Sequence, residues 1–376
     1  MMKKIKPLAF YLPQYHPVPE NDEWWGKGFT EWTNVTKAKP LFEGHDQPIY
    51  PADLGYYDLR VPQVREQQAQ MAKDYGLFGF IYYHYWFGNK KQLLETIAND
   101  VLTSGKPDFP FCFCWANETW SGIWHGLTEK ILVEQVYPNE QDLTDHFNYL
   151  LPFFKDERYI KVDNKPLFII YHPSHLDEGD PHYISKFREL AKKNGFDDLY
   201  IMASNKLRDD VDLKSMGYDG KISNAFQKAW IPYIRKGEYI SHYQYYKNRI
   251  IELFGFKKNI KPKVLTQDAK AIVNDLQFVE SNVATYPCVL PNWDNTPRSG
   301  HRGVVITDTS PELFEKQIEK AIAYLEDKND YPEQLLIIKS WNEWAEGNIL
   351  EPDKKYGFRY LNTLKRILDK YNNKNS

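Results

Sequence analysis

The chain has 376 residues, with 48 basic against 51 acidic side chains, a net charge of -3 and three cysteines. That length admits one large domain over 1–376, the balanced and unclustered charge argues against nucleic acid as a principal partner, and so few cysteines argue against a disulfide framework. No stretch of about 20 apolar residues occurs, and the basic start lacks an apolar segment, so the expectation is a soluble, cytoplasmic protein with no stable membrane insertion.

In chain order, short apolar or aromatic runs predict strands over 8–11, 78–83, 111–115, 167–171, 199–203, 220–223, 288–292 and 335–340. Segments of helical spacing lie between them, over 64–75, 91–102, 141–154, 183–194, 311–326 and 356–371, with weaker ones near 209–216 and within 241–254 or 268–279. Strand-helix alternation predicts a parallel sheet. The first strand runs into Pro13-Gln14-Tyr15-His16-Pro17 and not into a glycine-rich phosphate loop, which favours a closed (β/α)₈ TIM barrel over an open doubly wound sheet. Two long excursions, about 13–62 and 226–283, are expected to build a substrate site on the barrel.

Polar residues cluster just after the predicted strands: Gln14-Tyr15-His16, His84-Tyr85-Trp86, Asn117-Glu118, His172, Ser204-Asn205, Asp294-Asn295 and Asn342-Glu343-Trp344-Ala345-Glu346. One such residue is commonly a cap or a turn former. Most strands ending this way predict a shared site at one end of the barrel. Trp and Tyr, at 11 and 27, repeatedly neighbour polar residues, a composition suited to the apolar faces and hydroxyl edges of sugars. Glu343 and Glu346 stand three apart where the last strand stops, flanked by Trp341 and Trp344, which would partly desolvate them and raise a carboxyl pKa.

Two motifs read as structural. Cys112 and Cys114 have strand spacing and no completing His, so they are expected to be packed in the core, reduced and metal-free. Asp210-Val211-Asp212 reads as helix capping and not as a nucleotide-sugar metal site. No metal and no cofactor are implied.

The strings Ala9-Phe10-Tyr11-Leu12-Pro13-Gln14-Tyr15-His16-Pro17, Asn21-Asp22-Glu23-Trp24-Trp25-Gly26-Lys27-Gly28-Phe29-Thr30-Glu31-Trp32, Gly79-Phe80-Ile81-Tyr82-Tyr83-His84-Tyr85-Trp86-Phe87, Cys114-Trp115-Ala116-Asn117-Glu118 and Trp341-Asn342-Glu343-Trp344-Ala345-Glu346-Gly347 resemble the WbsX family. That family carries a glycosyltransferase label and is similar in turn to glycoside hydrolase family 99, the endo-α-mannosidases and endo-α-mannanases. The resemblance implies the barrel, an oligosaccharide or polysaccharide substrate, and retention through a 1,2-anhydro sugar. Glu343 would be the base on the 2-hydroxyl, and Glu346 the general acid and then base. Trp86, Trp115 and Trp293 are expected as sugar platforms, and Tyr15, His84, Asn117, Glu118, Asp294 and Asn295 as hydroxyl binders. His172, Trp341 and Asn342 complete the expected substrate-binding set. Glu31 and Trp32 either close over the site or pin the first loop. The competing readings are a glycosyltransferase of O-antigen, lipopolysaccharide or capsule biosynthesis, and a non-catalytic sugar-binding protein.

Overall fold

The computed structural model describes residues 3–121, 131–180, 182–204, 211–223, 225 and 264–374. Asn205, Asp210, the expected helix at 241–254 and most of the second excursion lie outside the described residues.

Eight parallel strands form the barrel: β1 Ile5–Tyr11, β2 Gly79–Trp86, β3 Phe111–Trp115, β4 Lys165–Ile170, β5 Tyr200–Ala203, β6 Gly220–Ile222, β7 in two segments, Ala284–Tyr286 and Cys288–Val289, and β8 Gln334–Ile338. Each predicted strand is present. Neighbours in sequence are neighbours in space, with Leu8 opposite Gly79, Phe80 opposite Phe111, Phe113 opposite Phe168 and Ile169 opposite Met202. The closing seam between β1 and β8 sets Ile5 against Gln334 and Ala9 against Ile338.

Pro287 explains why β7 is split. A proline has no N–H to give to a ladder. The segment before it pairs with β6, and the segment after it pairs with β8, while the Pro287 carbonyl accepts from Ile337 N at 2.9 Å. The strand thus changes partner at the one residue that can only accept, and the barrel closes through it.

Helices cover the outside where amphipathic spacing predicted them, at Pro62–Asp74, Glu140–Lys155, Tyr183–Lys193, Pro311–Glu326 and Arg359–Lys374. The helix expected from Lys91 begins only at Thr96, because Gln92–Leu93 first pairs antiparallel with the end of β2. The first long loop contains two further helices, Pro19–Trp25 and Glu31–Lys37. Cys112 and Cys114 are buried on β3 as free thiols, their pKa values pushed up by burial. Asp212 accepts from Ser215 N at 3.1 Å and from the Asn282 amide, which is turn capping. No helix among the described residues is long and apolar enough to cross a membrane.

Candidate active site

Beyond Ile338 the chain leaves the barrel wall through Lys339, Ser340 and Trp341, and Asn342–Glu343 pairs antiparallel with Asn348–Ile349. This small hairpin carries both acids, with Glu346 in a one-turn 3₁₀ helix between its strands. Asn342 fixes the hairpin to the top of β1, accepting from Leu12 N at 2.7 Å and donating to Leu12 O at 3.0 Å. Tyr15 clamps it from the other side, donating its hydroxyl to Asn342 O and accepting from Trp344 N at 3.1 Å. Gly347, at φ 54°, lets the turn lie on Asp294, since an added Cβ would sit 2.9 Å from the Asp294 Cβ. Asp294 N in turn donates to Glu346 O at 2.7 Å.

The two acids face a pocket of about 330 Å³. Its walls include Gln14 and Glu31 from the first loop, Tyr83 and Tyr85 from β2, Glu118 and Trp120 after β3, Tyr171 after β4, Trp293, Asn295 and Arg298 after β7, and Lys339 after β8. Glu343 is buried and accepts from Ser340 Oγ at 2.9 Å, with the Lys339 ammonium 4.0 Å away. Burial first, and then the charge of Glu346, push its pKa up to about 7 against the opposing pull of Lys339 and Arg298. Lys339 is held over the rings of Tyr171 and Trp293, 5.9 and 5.8 Å from their centroids. Arg298 joins the first loop to the hairpin: its Nε donates to Glu31 at 3.1 Å and its NH1 to Glu346 at 2.6 Å. Although burial works against its charge, the carboxylates of Glu31, Glu346 and Glu343 hold it firmly protonated.

Residues 7–364 match the family described as glycosyltransferase WbsX. The chain belongs to the WbsX family. It is similar to the uncharacterized protein WxcX of Xanthomonas campestris pv. campestris, 33% identical over 362 residues in strain ATCC 33913 and 32% over 361 in strain B100. These alignments cover 96% of this chain and 49% of the relatives, so the chain spans about half the length of the curated relatives it matches. Among solved structures, a family 99 endo-α-mannosidase of Bacteroides thetaiotaomicron aligns with TM-score 0.58 at 16% identity, covering 98% of this chain and 97% of that one. A glycoside hydrolase-like protein aligns with TM-score 0.57 at 14% identity, covering 97% and 93%. At such identities the likeness is one of fold.

In this WbsX-family chain several expected sugar contacts do not reach the pocket. Successive strand residues point to opposite faces. On β2, Tyr83 and Tyr85 face inward, which sends His84 and Trp86 outward under the helix Glu140–Lys155. There His84 Nε2 meets His146 Nε2 at 2.8 Å, and the Trp86 indole stacks on His146 at 4.7 Å and donates to Asp142 at 3.2 Å. Trp115, level with His84 in the ladder, is fully buried in the same layer and donates to Trp86 O at 2.9 Å. Tyr15, Trp341 and Asn342 are fully buried supports of the hairpin. Asn117 does for β4 what Asn342 does for β1, bonding both the N and the O of His172 at 2.7 and 2.9 Å. Asp294 lies behind the pocket, accepting from His45 and Gln47 at 2.7 and 2.6 Å and from Thr296.

Glu118, Trp293, Asn295, Glu343 and Glu346 do line the pocket, and His172 reaches it through Glu118, 2.8 Å away. Glu31 pins the loop through Arg298, while Trp32 is buried against Tyr15, Tyr57 and Trp344. The sequence reading missed Tyr83, Trp120, Lys339 and Arg298, and it placed Tyr85 in the strand-end cluster without giving it a substrate contact. Nothing local on β2 marks out the tyrosines, because both faces of the strand are buried. Arg298 carries no local signal, since only the fold brings it between two acids.

Proposed function

We propose that the chain is a retaining enzyme of α-glycosidic bonds in a manno-configured or related bacterial polysaccharide, working through a 1,2-anhydro sugar. The observation that supports this best is that Glu343 and Glu346 meet in one aromatic pocket with different environments. Glu343 is buried, and its pKa of about 7 suits a base that must work close to neutrality. Glu346 is held by Arg298. In the first step Glu343 takes the proton of the 2-hydroxyl, O2 attacks C1, and the leaving oxygen departs with a proton from Glu346. In the second, Glu346 deprotonates the acceptor as it attacks C1, the C1–O2 bond breaks, and O2 recovers its proton from Glu343. Each step inverts C1, so the sum is retention. The Arg298–Glu31 ion pair stays electrically balanced while Glu346 carries its proton, which allows one guanidinium to serve both halves of the cycle.

The biological setting we propose is assembly or trimming of a surface polysaccharide. A second reading, favoured by the family description, keeps the same steps with a saccharide hydroxyl in place of water as acceptor. Glycosyl fluorides and 2-fluoro sugars test the mechanism. With a fluoride leaving group, Glu346→Gln should recover its first step and Glu343→Gln should not. A covalent 2-fluoroglycosyl ester on either glutamate, seen in the intact mass, would replace this route by ordinary double displacement.

A further inference from the structure

Trp293 forms a wall shared by two cavities. On the side away from the two acids lies a second pocket of about 450 Å³, larger than the about 330 Å³ of the acidic one. Its rim carries the rings of Phe42, Tyr50 and Tyr356, of which Tyr50 is 53% exposed. Asn292, Thr307 and Thr309 line it beside four aspartates, two lysines and His45, and most of these charged or titratable groups are already engaged. Asp294 accepts from His45 and Gln47, Asp353 accepts from the amides of Lys355 and Tyr356, and Asp46 pairs with Lys355 at 2.8 Å. Asp308 and Lys354 are exposed, and the side chain of neither has a hydrogen bond or ion pair among the described residues.

We infer that this cavity is an accessory saccharide site that takes a pyranose segment of a neutral polysaccharide; the inference rests on the carbohydrate reading of the neighbouring pocket. Vicinal hydroxyls donate and accept, so one ring can serve the Asp308 carboxylate and the Lys354 ammonium together. The exposed face of Tyr50 suits the C–H face of a pyranose. A diphosphate or other polyanion would set its charge against four carboxylates with one uncommitted lysine to offset them. An apolar ligand would strip water from Asp308 and Lys354 without replacing its hydrogen bonds. The site also adjoins the chemistry, because Asp294, in its floor, donates its amide to the Glu346 carbonyl at 2.7 Å.

Affinity electrophoresis through gels containing yeast α-mannan or a neutral α-rhamnan tests this, with Glu346→Gln as the non-turning parent. The parent should be retarded by at least one polymer, and adding Tyr50→Ala and Asp308→Ala should weaken retention about tenfold at an unchanged melting temperature. Equal retardation of parent and triple variant, or no retardation of the parent by either polymer, overturns the site. Turnover of the same polymers by the native chain is read separately. Retention lost on mutation without native turnover upholds the site and sinks the catalytic reading; turnover with retention untouched by mutation does the reverse.

Discussion

Glu343 and Glu351 stand eight residues apart on one segment, both are buried, and burial pushes both pKa values up to about 7. Their surroundings differ. Glu351 accepts from Tyr57 at 2.8 Å and from Trp344 and Gln68 at 2.6 Å each, enclosed beneath the hairpin. Glu343 accepts from Ser340 alone among the described residues and opens onto a pocket where Glu346, Lys339 and Arg298 supply charge. A perturbed carboxyl is therefore not by itself a mark of function. What separates the pair is hydrogen-bonding capacity left free and facing a cavity, against capacity filled by the fold.

The largest effect expected from that contrast is on turnover. Glu343→Gln should lower kcat by about 10² to 10⁴ with the fold intact, whereas Glu351→Gln, assayed below its melting point, should keep kcat within about tenfold. Stability should move the other way. The native Glu343 carboxyl holds a proton between pH 4.5 and about 7 that the unfolded chain has released, so its contribution falls as pH rises through that window. Glu343→Gln should then raise stability at pH 8 by on the order of 1–3 kcal/mol and leave it unchanged at pH 4. Glu351→Gln turns an amide NH₂ toward the Gln68 donor on one carboxylate oxygen or toward the Tyr57 and Trp344 donors on the other, and should cost about 1–3 kcal/mol. Loss of turnover in Glu351→Gln with an unchanged melting temperature would erase the distinction.

Arg298→Gln comes next. It leaves Glu31, 1% exposed, without its cation, a loss on the order of 3–5 kcal/mol in thermal or denaturant melts. It also removes a charge that lowers the Glu343 pKa, so the acid limb of kcat/KM should move to higher pH. A limb that stays in place would separate Glu343 from the titration that governs the rate.

The buried histidines extend the contrast to the outer layer of the barrel. Burial holds the pKa of His84 down to about 3 and that of His146 well below its ordinary 6.5. Their stabilisation is present above pH 6.5 and is lost as pH falls below it, because the unfolded chain takes up protons that the native layer refuses. The slope should be about 1.4 kcal/mol per pH unit for each histidine, and His84→Gln should remove one such share between pH 6 and 4. Smallest of all, Tyr85→Phe should change KM with a stability change of about 1 kcal/mol or less, and Trp86→Phe should change stability with KM untouched. If both act on KM alone, the two faces of β2 are not functionally distinct.

Much of the fold was legible because each strand is a short apolar run bounded by loops, and a barrel demands little more than eight of these alternating with helices. The face each residue takes was not. Where both faces of a strand are buried, inward and outward residues are equally aromatic, so Tyr82-Tyr83-His84-Tyr85-Trp86 shows no polar alternation and His84 and Trp86 read as readily as site residues as Tyr83 and Tyr85 do. Polar residues at strand ends were equally ambiguous: Asn117 and Asn342 are backbone clamps, whereas Asn295 and Glu118 line the pocket.

By itself the sequence determined the eight strands, the end of the barrel that carries the polar loops, and the pairing of Glu343 with Glu346, since all three depend on residues close together in the chain. Only the tertiary structure decided that Arg298 stands between Glu31 and Glu346, that Lys339 lies over Tyr171 and Trp293, and that Glu351 is enclosed while Glu343 is open. Those relations join residues up to 294 positions apart, and the charge and solvation of a group depend on what surrounds it in space, which no local pattern records.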